Sequence, residues 1–229
     1  INTMLLGNYF NNISKNYKNF SFSGISFDTK SIKKNNIFFA IKGNSVDGNK
    51  FIPTAIRKGS KIIVTEKKAN TLQNGILYIY TKNIRKLLAE ISFKIYNKQP
   101  KNLIAVTGTN GKSSVADLYY QILNLNNIKV ASIGTLGVKS KSINFNLPNT
   151  TIDPIKLAQI LSKLKIQKIE NVIMEASSHG LKQNRLDGLK FNSGIFTNLS
   201  QDHLDYHKNL KNYLNSKLYL FENLRKKKA

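Results

Sequence analysis

The stretch Leu103-Ile104-Ala105-Val106-Thr107-Gly108-Thr109-Asn110-Gly111-Lys112-Ser113-Ser114 decides how the rest of the chain is interpreted. A short apolar run enters it and a helical pattern leaves it, which predicts a strand, a glycine loop and a helix. The glycines let the backbone curl so that its N–H groups point inward, and the following helix N-terminus adds partial positive charge. Such a loop cradles phosphate, with Lys112 reaching the outer phosphates and the Ser113 hydroxyl available to Mg²⁺.

The loop departs from the common phosphate-loop pattern at one position. That pattern has a glycine five residues before Gly111, where this sequence has Val106. An ordinary glycine-bearing turn is the alternative, but the predicted strand before the loop and the helix after it are the context that the motif requires. We therefore expect a variant nucleotide-binding loop.

Composition limits the class of protein. The 229 residues suffice for one large domain or two small ones, and 41% of them are hydrophobic. The chain has no cysteine, which excludes disulfides and thiolate metal sites and fits a cytoplasmic protein. No run approaches the roughly 18 apolar residues of a membrane span, and the N-terminus lacks a signal-peptide pattern. We therefore predict a cytoplasmic protein with no membrane partner.

The formal net charge of +24 has two interpretations. One is nucleic-acid or membrane binding through basic patches. The other is a surface of solvated lysines, which we favour because only four of the 36 basic residues are arginines and the lysines are spread along the chain. We therefore predict no nucleic-acid partner. A basic nucleic-acid-binding protein stays as an alternative function, which would gather lysines on one face and bind with steep salt dependence.

Strand and helix patterns alternate along the whole chain. In the first hundred residues we predict strands at 25–28, 37–41, 61–65 and 76–80, and helices at 51–58 and at about 84–96. A polar break at 97–101 contains Pro100 and predicts a domain boundary, giving domains 1–98 and 99–229. Strands alternating with helices predict parallel sheets that carry their active groups at the carboxyl ends of the strands.

The second domain continues the same alternation. We predict strands at 130–133, 171–174 and 193–197, a helix opening at Pro154 and a last helix at about 210–224. The helix after the phosphate loop has a predicted buried stripe formed by Val115, Leu118, Tyr119, Ile122 and Leu123.

Histidines and acids cluster in the second domain. Glu175 closes an apolar strand, as a Mg²⁺-associated acid does beside a phosphate loop. All three histidines, His179, His203 and His207, follow it, together with Asp202 and Asp205. In a chain with only 12 acids this clustering favours a site over a random surface loop.

His203 and His207 are spaced i, i+4, which could place them on one helix face. A zinc site is disfavoured because no third ligand has suitable spacing. His203 as a second ligand to nucleotide-bound Mg²⁺ is the favoured interpretation.

Lys217 lies among Tyr213, Leu214, Leu218 and other apolar neighbours of the last helix. A lysine in such surroundings loses solvation and its pKa falls, and a neutral amine can add CO₂ to become a Mg²⁺-binding carbamate. From the pattern alone, a stem that reaches out to water is the favoured interpretation.

These residues form motifs that extend over nearly the whole chain, and on them the chain resembles the Mur ligases, most closely the branch that adds the third amino acid of the peptidoglycan peptide. The Ser177-Ser178-His179-Gly180-Leu181 and Asp202-His203-Leu204-Asp205-Tyr206-His207 runs are specific to that branch. The other motifs are Phe27-Asp28-Thr29-Lys30, Phe38-Phe39-Ala40-Ile41-Lys42-Gly43, Asp47-Gly48, Thr107 to Ser114, Asn149-Thr150-Thr151, Glu175-Ala176, Gln183, Arg185, Thr197-Asn198-Leu199-Ser200-Gln201 and Tyr213-Leu214-Asn215-Ser216-Lys217. Lys30 stands where the family usually has arginine, so one polar contact is expected to be weaker.

The resemblance implies an α/β fold: a small N-terminal UDP-binding domain, then a truncated phosphate-loop ATPase domain with a mainly parallel sheet. It implies catalytic roles for Lys112, Lys217 and His203, with Lys217 as a carbamylated lysine in place of the water-exposed stem. It implies Mg²⁺ ligation by Ser113, Glu175 and His203. It implies ATP binding by Gly108, Thr109, Asn110, Gly111, Lys112, Ser113 and Ser114, and substrate binding by Phe27, Thr29, Asn44, Ser45 and Val46 at the UDP end and by Asn149, Thr150, Thr151, Ser177, Gln183 and Arg185 at the muramoyl-dipeptide.

The implied activity is an ATP-dependent ligation. ATP phosphorylates the free carboxylate of UDP-N-acetylmuramoyl-L-alanyl-D-glutamate, and the amine of the incoming amino acid attacks the acyl phosphate. Family frequency favours meso-diaminopimelate over lysine as that amino acid, and a monomer is expected.

The family continues well past residue 229, so we expect an N-terminal fragment that is inactive by itself. A non-catalytic remnant of a ligase is a further alternative. A folate polyglutamate ligase of the same superfamily is disfavoured because it lacks the UDP-binding unit.

Overall fold

The computed structural model describes residues 3–11, 13–43, 46–67 and 70–225. The chain divides into two compact units, Ile1–Ile95 and Tyr96–Ala229. Each unit is built around its own sheet, and the two are described in turn.

The first unit contains a five-stranded sheet. Its strand order is β3-β4-β5-β7-β6, with the first four strands parallel and β6 antiparallel at the edge. A two-stranded antiparallel ribbon, β1-β2, precedes it. The strands are β1 Met4–Leu5, β2 Ser21–Phe22, β3 Gly24–Ser26, β4 Asn36–Phe39, β5 Ile62–Thr65, β6 Asn70–Gln73 and β7 Ile76–Tyr80.

The described residues of the first unit form two α-helices: α1 Ile52–Arg57, with Pro53 in its first turn, and α2 Ile84–Ile95. They also form the 3-10 helices Leu6–Asn8, Lys15–Tyr17 and Gly48–Phe51. Strands β4 and β5 are fully buried, as expected of central strands covered on both faces. The core beside α1 joins Ala55 to Phe38 and Ile63.

The second unit contains a six-stranded sheet with the order β11-β10-β9-β12-β8-β13. Strands β9, β12, β8 and β13 are parallel, and β10 and β11 continue the sheet antiparallel. All carboxyl ends of the parallel strands therefore meet at one edge. The strands are β8 Asn102–Thr107, β9 Val130–Gly134, β10 Gly137–Lys139, β11 Asn144–Phe145, β12 Asn171–Glu175 and β13 Ser193–Phe196.

The helices of the second unit are α3 Lys112–Leu125, α4 Pro154–Ile166, α5 Ser178–Lys182, α6 Leu204–His207 and α7 Leu210–Glu222. Asp153 caps α4 by accepting a hydrogen bond from the Lys156 amide at 2.9 Å, and Pro154 follows it at the first helical position.

The predicted buried stripe of α3 is wrong in two members. Leu118 and Ile122 are each 57% exposed. The helix packs on Val106 and Ile173 of the sheet through Ala116, with Val115 and Tyr119 beside it. The buried residues of α3 are Ala116 and Tyr120, so the helix keeps the predicted period but its buried face is rotated from the predicted stripe.

The mainly parallel α/β fold predicted from the sequence is confirmed, and most predicted elements lie within a few residues of the observed ones. The sequence analysis missed the short elements β1, β2, β6, β10, β11, α5 and α6. These have two to five residues each, too few to show a clear hydrophobic period.

Within the described ranges, none of the helices combines the length and the apolar character that crossing a bilayer demands.

Candidate active site

The phosphate loop between β8 and α3 has a backbone that requires its glycines. Gly108 has φ +144° and Gly111 has φ +82° as the N-cap of α3. A Cβ on Gly108 would collide with the Thr197 hydroxyl oxygen. The loop is therefore curled as the sequence predicts, and it leads directly into the N-terminus of a 14-residue helix.

The segment after β13 braces this loop. The Thr109 amide donates to the Asn198 carbonyl at 3.0 Å, and the Asn110 amide donates to the Asn198 side-chain oxygen at 3.0 Å. The Thr197 hydroxyl donates to the Asn110 carbonyl at 2.6 Å, and the Ser200 amide donates to the Thr109 hydroxyl at 3.0 Å. Side chains on a neighbouring strand end thus fix the loop in shape.

Two lysine ammonium groups converge on one carbonyl of the loop. Lys112 Nζ donates to the Gly108 carbonyl at 2.9 Å and to the Thr109 carbonyl at 2.7 Å. Lys217 Nζ donates to the same Gly108 carbonyl at 2.6 Å. The structure thus brings together a lysine of α3 and a lysine of α7 that are far apart in sequence.

The water-exposed stem favoured for Lys217 from the pattern alone is wrong. Lys217 is only 1% exposed, and its ammonium lies 4.3 Å from the centre of the Tyr213 ring. The Tyr213 hydroxyl donates to the Thr109 hydroxyl oxygen at 3.2 Å, so α7 is fastened to the loop beside this lysine. The α7 face that contains Lys217 faces the loop, because Tyr213, Ser216 and Leu220 are buried on it.

Burial changes the protonation of both lysines. Burial, with a smaller contribution from the nearby charge of Lys112 and against the raising effect of Asp202, lowers the pKa of Lys217 to about 8. Burial also lowers the pKa of Lys112, opposed by the carboxylates of Glu175 and Asp202. A fraction of Lys217 is therefore a neutral amine near neutral pH.

Glu175 closes β12 and is almost fully buried. One carboxylate oxygen accepts a hydrogen bond from the Thr135 amide at 2.9 Å, and the other accepts from the Thr135 hydroxyl at 3.1 Å. The neighbouring Gly134 has no space for a Cβ, which would strike this carboxylate. The end of β9 thus holds the carboxylate in one orientation, close enough to Lys112 to affect its pKa.

The residues predicted to bind Mg²⁺ offer oxygen donors of the kind that this ion prefers. Ser113 is the second residue of α3, next to Lys112, and Glu175 supplies a carboxylate. Within the described parts of the chain, no three histidine, cysteine, aspartate or glutamate side chains are grouped to hold a metal ion. A Mg²⁺ shared with nucleotide phosphates needs only one or two protein carboxylates, so the donor set fits it, and a zinc site gains no support.

His203 is not on a helix face with His207. It is the N-cap of α6, has φ +52°, and its side chain is 50% exposed with Nε2 3.5 Å from an Asp202 carboxylate oxygen. His207, in contrast, is fully buried, and its Nε2 lies 3.0 Å from the Ser178 hydroxyl. Burial lowers the pKa of His207 to about 4, with the charge of Lys182 adding to the effect.

The predicted clustering of the three histidines is present. The His179 ring lies 4.9 Å from that of His203 and 5.5 Å from that of His207, and it stacks on Tyr206 at 4.1 Å. Burial lowers the pKa of His179, and the neighbouring His203 lowers it further. The cluster joins α5, α6 and α7 at the carboxyl edge of the sheet.

The residues predicted to hold the muramoyl-dipeptide form a second group beside Glu175. The Thr151 hydroxyl donates to the Glu175 carbonyl at 3.0 Å and accepts from the Ser177 amide at 2.9 Å. Arg185 donates through Nη1 to the Thr151 carbonyl, and through Nε and Nη2 to Gln183 Oε1 at 3.2 and 2.8 Å. The Thr150 and Thr135 hydroxyls are 3.0 Å apart, while Asn149 is exposed.

The residues predicted to hold the UDP end belong to the first unit and are described there alone. Phe27 is 38% exposed after β3, and Val46 is 53% exposed. The Thr29 carbonyl accepts a hydrogen bond from Lys58 Nζ at 2.6 Å. Asn44 and Ser45 lie outside the described residues.

Sequence reasoning assigned no role to Thr135, Asn198 or Tyr206. Thr135 directly follows β9, and a polar residue after a parallel strand was the available signal. Asn198 and Tyr206 lie inside quoted motifs, but nothing in the sequence says that one braces the loop and the other stacks on His179.

Known proteins are similar to both units of this chain. A model of the Mur ligase middle domain matches residues 106–229, and a model of the Mur ligase family catalytic domain matches residues 21–100. The UDP-N-acetylmuramoyl-L-alanyl-D-glutamate--2,6-diaminopimelate ligase of Rickettsia prowazekii (strain Madrid E) is 44% identical over 214 residues, covering 92% of this chain and 44% of the relative. The ligase of the same name from Clostridium tetani (strain Massachusetts / E88) is 42% identical over 203 residues, covering 87% and 42%. The chain thus spans less than half the length of these relatives.

Solved structures are also similar to this chain. A structure of UDP-N-acetylmuramoyl-L-alanyl-D-glutamate--2,6-diaminopimelate ligase superposes with a TM-score of 0.84 at 27% identity, covering 97% of this chain and 46% of that chain. MurF ligase from Thermotoga maritima in complex with ADP superposes with a TM-score of 0.55 at 17% identity, covering 88% and 43%. At that identity the likeness concerns the fold alone.

Proposed function

Because the chain belongs to the Mur ligase family, we propose that it forms the substrate- and ATP-binding part of an ATP-dependent amide ligase of peptidoglycan synthesis. The reaction adds the third amino acid, meso-diaminopimelate, to UDP-N-acetylmuramoyl-L-alanyl-D-glutamate. The relatives at 42–44% identity have this activity in their names. The protein acts in the cytoplasm as a monomer.

The observation that carries this proposal is the convergence of Lys112 and Lys217 on the Gly108 carbonyl, with Glu175 in electrostatic reach. The half-buried ammonium of Lys112 at a curled glycine loop makes a site for the charge of a triphosphate, whose oxygens can accept the hydrogen bonds that Lys112 donates to the loop carbonyls. The buried Lys217 lies beside it, where its neutral amine can form the carbamate.

ATP phosphorylates the free carboxylate of the D-glutamate residue, forming an acyl phosphate with release of ADP. The amine of the incoming amino acid then attacks the acyl carbon, and phosphate leaves. Lys112 neutralises charge on the transferred phosphoryl group, and the braced loop holds that group still during transfer.

The Ser113 hydroxyl, Glu175 and His203 would hold Mg²⁺, which would neutralise charge on the phosphates when bound. Thr135 holds the Glu175 carboxylate in place for this role. Lys217 has the burial and the lowered pKa that carbamate formation needs, because only the neutral amine adds CO₂.

Two groups of residues hold the substrate. Phe27, Thr29 and the 44–46 segment bind the UDP end. Thr150, Thr151, Ser177, Gln183 and Arg185, with Asn149, bind the muramoyl-dipeptide, and the guanidinium of Arg185 suits a carboxylate because its fork pairs two oxygens.

The test is calorimetric titration of the 229-residue chain with Mg²⁺–ATP and, separately, with UDP-N-acetylmuramoyl-L-alanyl-D-glutamate. Both ligands should bind. Lys112→Ala should lower the affinity for ATP at least about tenfold and should change the affinity for the UDP-peptide by no more than about twofold. Binding of neither ligand, or salt-sensitive binding of duplex DNA in their place, would overturn the proposal.

Ligation itself is assayed with ATP, the UDP-peptide and diaminopimelate. The 229-residue chain, which spans less than half the length of the relatives it matches, should give no product by itself.

A further inference from the structure

We propose that Tyr206 is a positioning residue that orients Arg185 for the carboxylate of the substrate, acting through the amide of Gln183. The inference rests on the proposed function, since it assumes that Arg185 binds the UDP-muramoyl-dipeptide. Tyr206 would therefore affect the affinity for the substrate without contacting the reacting atoms.

The first link is the hydrogen bond from Gln183 Nε2 to the Tyr206 hydroxyl oxygen at 3.3 Å. Arg185 donates its Nε and Nη2 hydrogens to Gln183 Oε1 at 3.2 and 2.8 Å. A guanidinium has only donors, so the amide oxygen must face Arg185 and the amide nitrogen must face an acceptor. The tyrosine oxygen is that acceptor, and it therefore fixes which way the amide points.

The second link is the fixed position of the Tyr206 ring. The ring stacks on His179 at 4.1 Å with an interplanar angle of 27°, and it meets the His207 ring edge-on at 4.9 Å. Lys182 Nζ lies 4.7 Å from the ring centre. Because these contacts involve the ring and not the hydroxyl, Tyr206→Phe removes the bond to Gln183 and leaves the packing intact.

The third link is a series of hydrogen bonds from Arg185 through Thr151 to Glu175 at the carboxyl end of β12. Its Nη1 donates to the Thr151 carbonyl, and the Thr151 hydroxyl donates to the carbonyl of Glu175. The guanidinium is thus held from two sides, by Gln183 and by the residue that buttresses the end of β12. Loss of the Gln183 constraint lets the planar fork rotate, which reduces its affinity for a carboxylate that needs two parallel hydrogen bonds.

The experiment compares Tyr206→Phe with the wild-type chain by calorimetry. Its probes are UDP-N-acetylmuramoyl-L-alanyl-D-glutamate and UDP-N-acetylmuramoyl-L-alanine, which lacks the glutamate carboxylates. We expect about five- to tenfold weaker binding of the first ligand and unchanged binding of the second. Equal weakening of both, or of neither, would refute the role of Tyr206.

Tyr96→Phe is the matched control. The Tyr96 hydroxyl accepts a hydrogen bond from the Gln159 amide at 2.9 Å, so the variant removes the same type of bond at another position in the second unit. It should change the affinity for neither ligand.

A double-mutant cycle tests whether Tyr206 acts through Arg185. In an Arg185→Ala background, Tyr206→Phe should have no further effect on the affinity for the UDP-dipeptide. Additive effects of the two substitutions would show that the hydroxyl acts by another route and would overturn the inference.

A ligand-free measurement separates this inference from the proposed function. The chain has four arginines, so its Nε–H region of the ¹⁵N NMR spectrum is simple, and Arg185→Lys identifies the Arg185 signal. Tyr206→Phe should speed hydrogen exchange of that Nε–H several-fold, while Tyr96→Phe leaves it unchanged. If the wild-type chain bound neither ligand, the proposed function would fail, and this exchange rate alone would decide whether Tyr206 orders Arg185.

Discussion

Each of the two units contains a mainly parallel sheet of its own, but the units differ in the polar side chains that they bury. Among the described residues of the first unit, the buried polar side chains are uncharged: Ser26, Asn36, Ser60, Thr65 and Ser92. Among those of the second unit, four acidic or basic side chains are buried: Glu175, Asp187, His207 and Lys217.

The buried polar groups of the first unit form hydrogen bonds within that unit. The Ser60 hydroxyl donates to the Asn36 carbonyl at 2.7 Å, and the Ser26 hydroxyl donates to the Asp28 carbonyl at 2.8 Å. Burying an ionisable group costs much more than burying a hydroxyl that has a partner. A mainly parallel sheet therefore occurs in one unit without buried charges and in the other with them. The buried charges, and not the sheet, distinguish the candidate active site.

The largest expected effect compares one glycine from each unit. Gly108→Ala should lower the free energy of unfolding of the second unit by more than about 3 kcal/mol, because the added Cβ meets Thr197 and the backbone is unfavourable for alanine. Gly75→Ala in the first unit should cost only about 1 kcal/mol, since its φ is +77° but nothing lies within 4 Å of the new atom.

Urea titrations read by hydrogen–deuterium exchange of peptides from each unit measure both costs. Equal losses of unfolding free energy from the two substitutions would show that the loop is not under the steric constraint described. The two units would then not differ in how strictly a glycine is required.

The second effect concerns the buried ammonium of Lys217. Burial lowers its pKa in the folded chain to about 8 from the ordinary lysine value of 10.5, so the folded state disfavours the charged form. The penalty is fully present below pH 8 and is relieved as the pH rises toward 10.5, because the unfolded chain then binds the extra proton. It amounts to about 3 kcal/mol near pH 7.

Lys217→Met removes this titration. The stability of the wild-type chain minus that of the variant should rise by about 2 kcal/mol between pH 7 and pH 10, measured by urea denaturation. A difference independent of pH would mean that Lys217 is charged throughout, which would also weaken the case for a carbamate.

The third effect belongs to His207, and the first unit has no histidine to match it. The pKa of His207 is lowered to about 4 from 6.5. Stability from the neutral imidazole is present above pH 6.5 and is lost as the pH falls, because the unfolded chain binds the proton first. The loss should reach about 2 kcal/mol at pH 5.

NMR titration of the three histidine ring signals measures this directly, with His207→Gln identifying the signal. An imidazole that protonates near pH 6.5 would contradict the burial described. His203 in the same spectrum, half-exposed, is the internal comparison.

The smallest effect comes from a surface ion pair of the same unit. Lys139 Nζ lies 2.8 Å from an Asp117 carboxylate oxygen, with both side chains partly exposed. Lys139→Ala should cost less than about 1 kcal/mol in urea denaturation, and added salt should shrink the cost further. A loss as large as the pH-dependent change of about 2 kcal/mol expected for Lys217 would mean that burial does not determine the size of these charge effects.

The alternation of strands and helices, the parallel α/β class and the phosphate loop can all be predicted from the sequence. They follow from local patterns, such as the apolar run Val172-Ile173-Met174 that precedes Glu175 and the glycines that flank Thr109 and Asn110. It also predicted the histidine cluster, because three histidines in one short region are improbable in a chain that has no others.

Only the tertiary structure decided what surrounds those residues. The helical pattern around Lys217 is compatible with a stem in water, and only the packing of α7 against the loop buries the ammonium beside Lys112. The α3 stripe was misjudged at Leu118 and Ile122 for the same reason. A period tells which residues share a face, but the partner that covers the face comes from distant parts of the chain, and both the burial and the resulting pKa values depend on that partner.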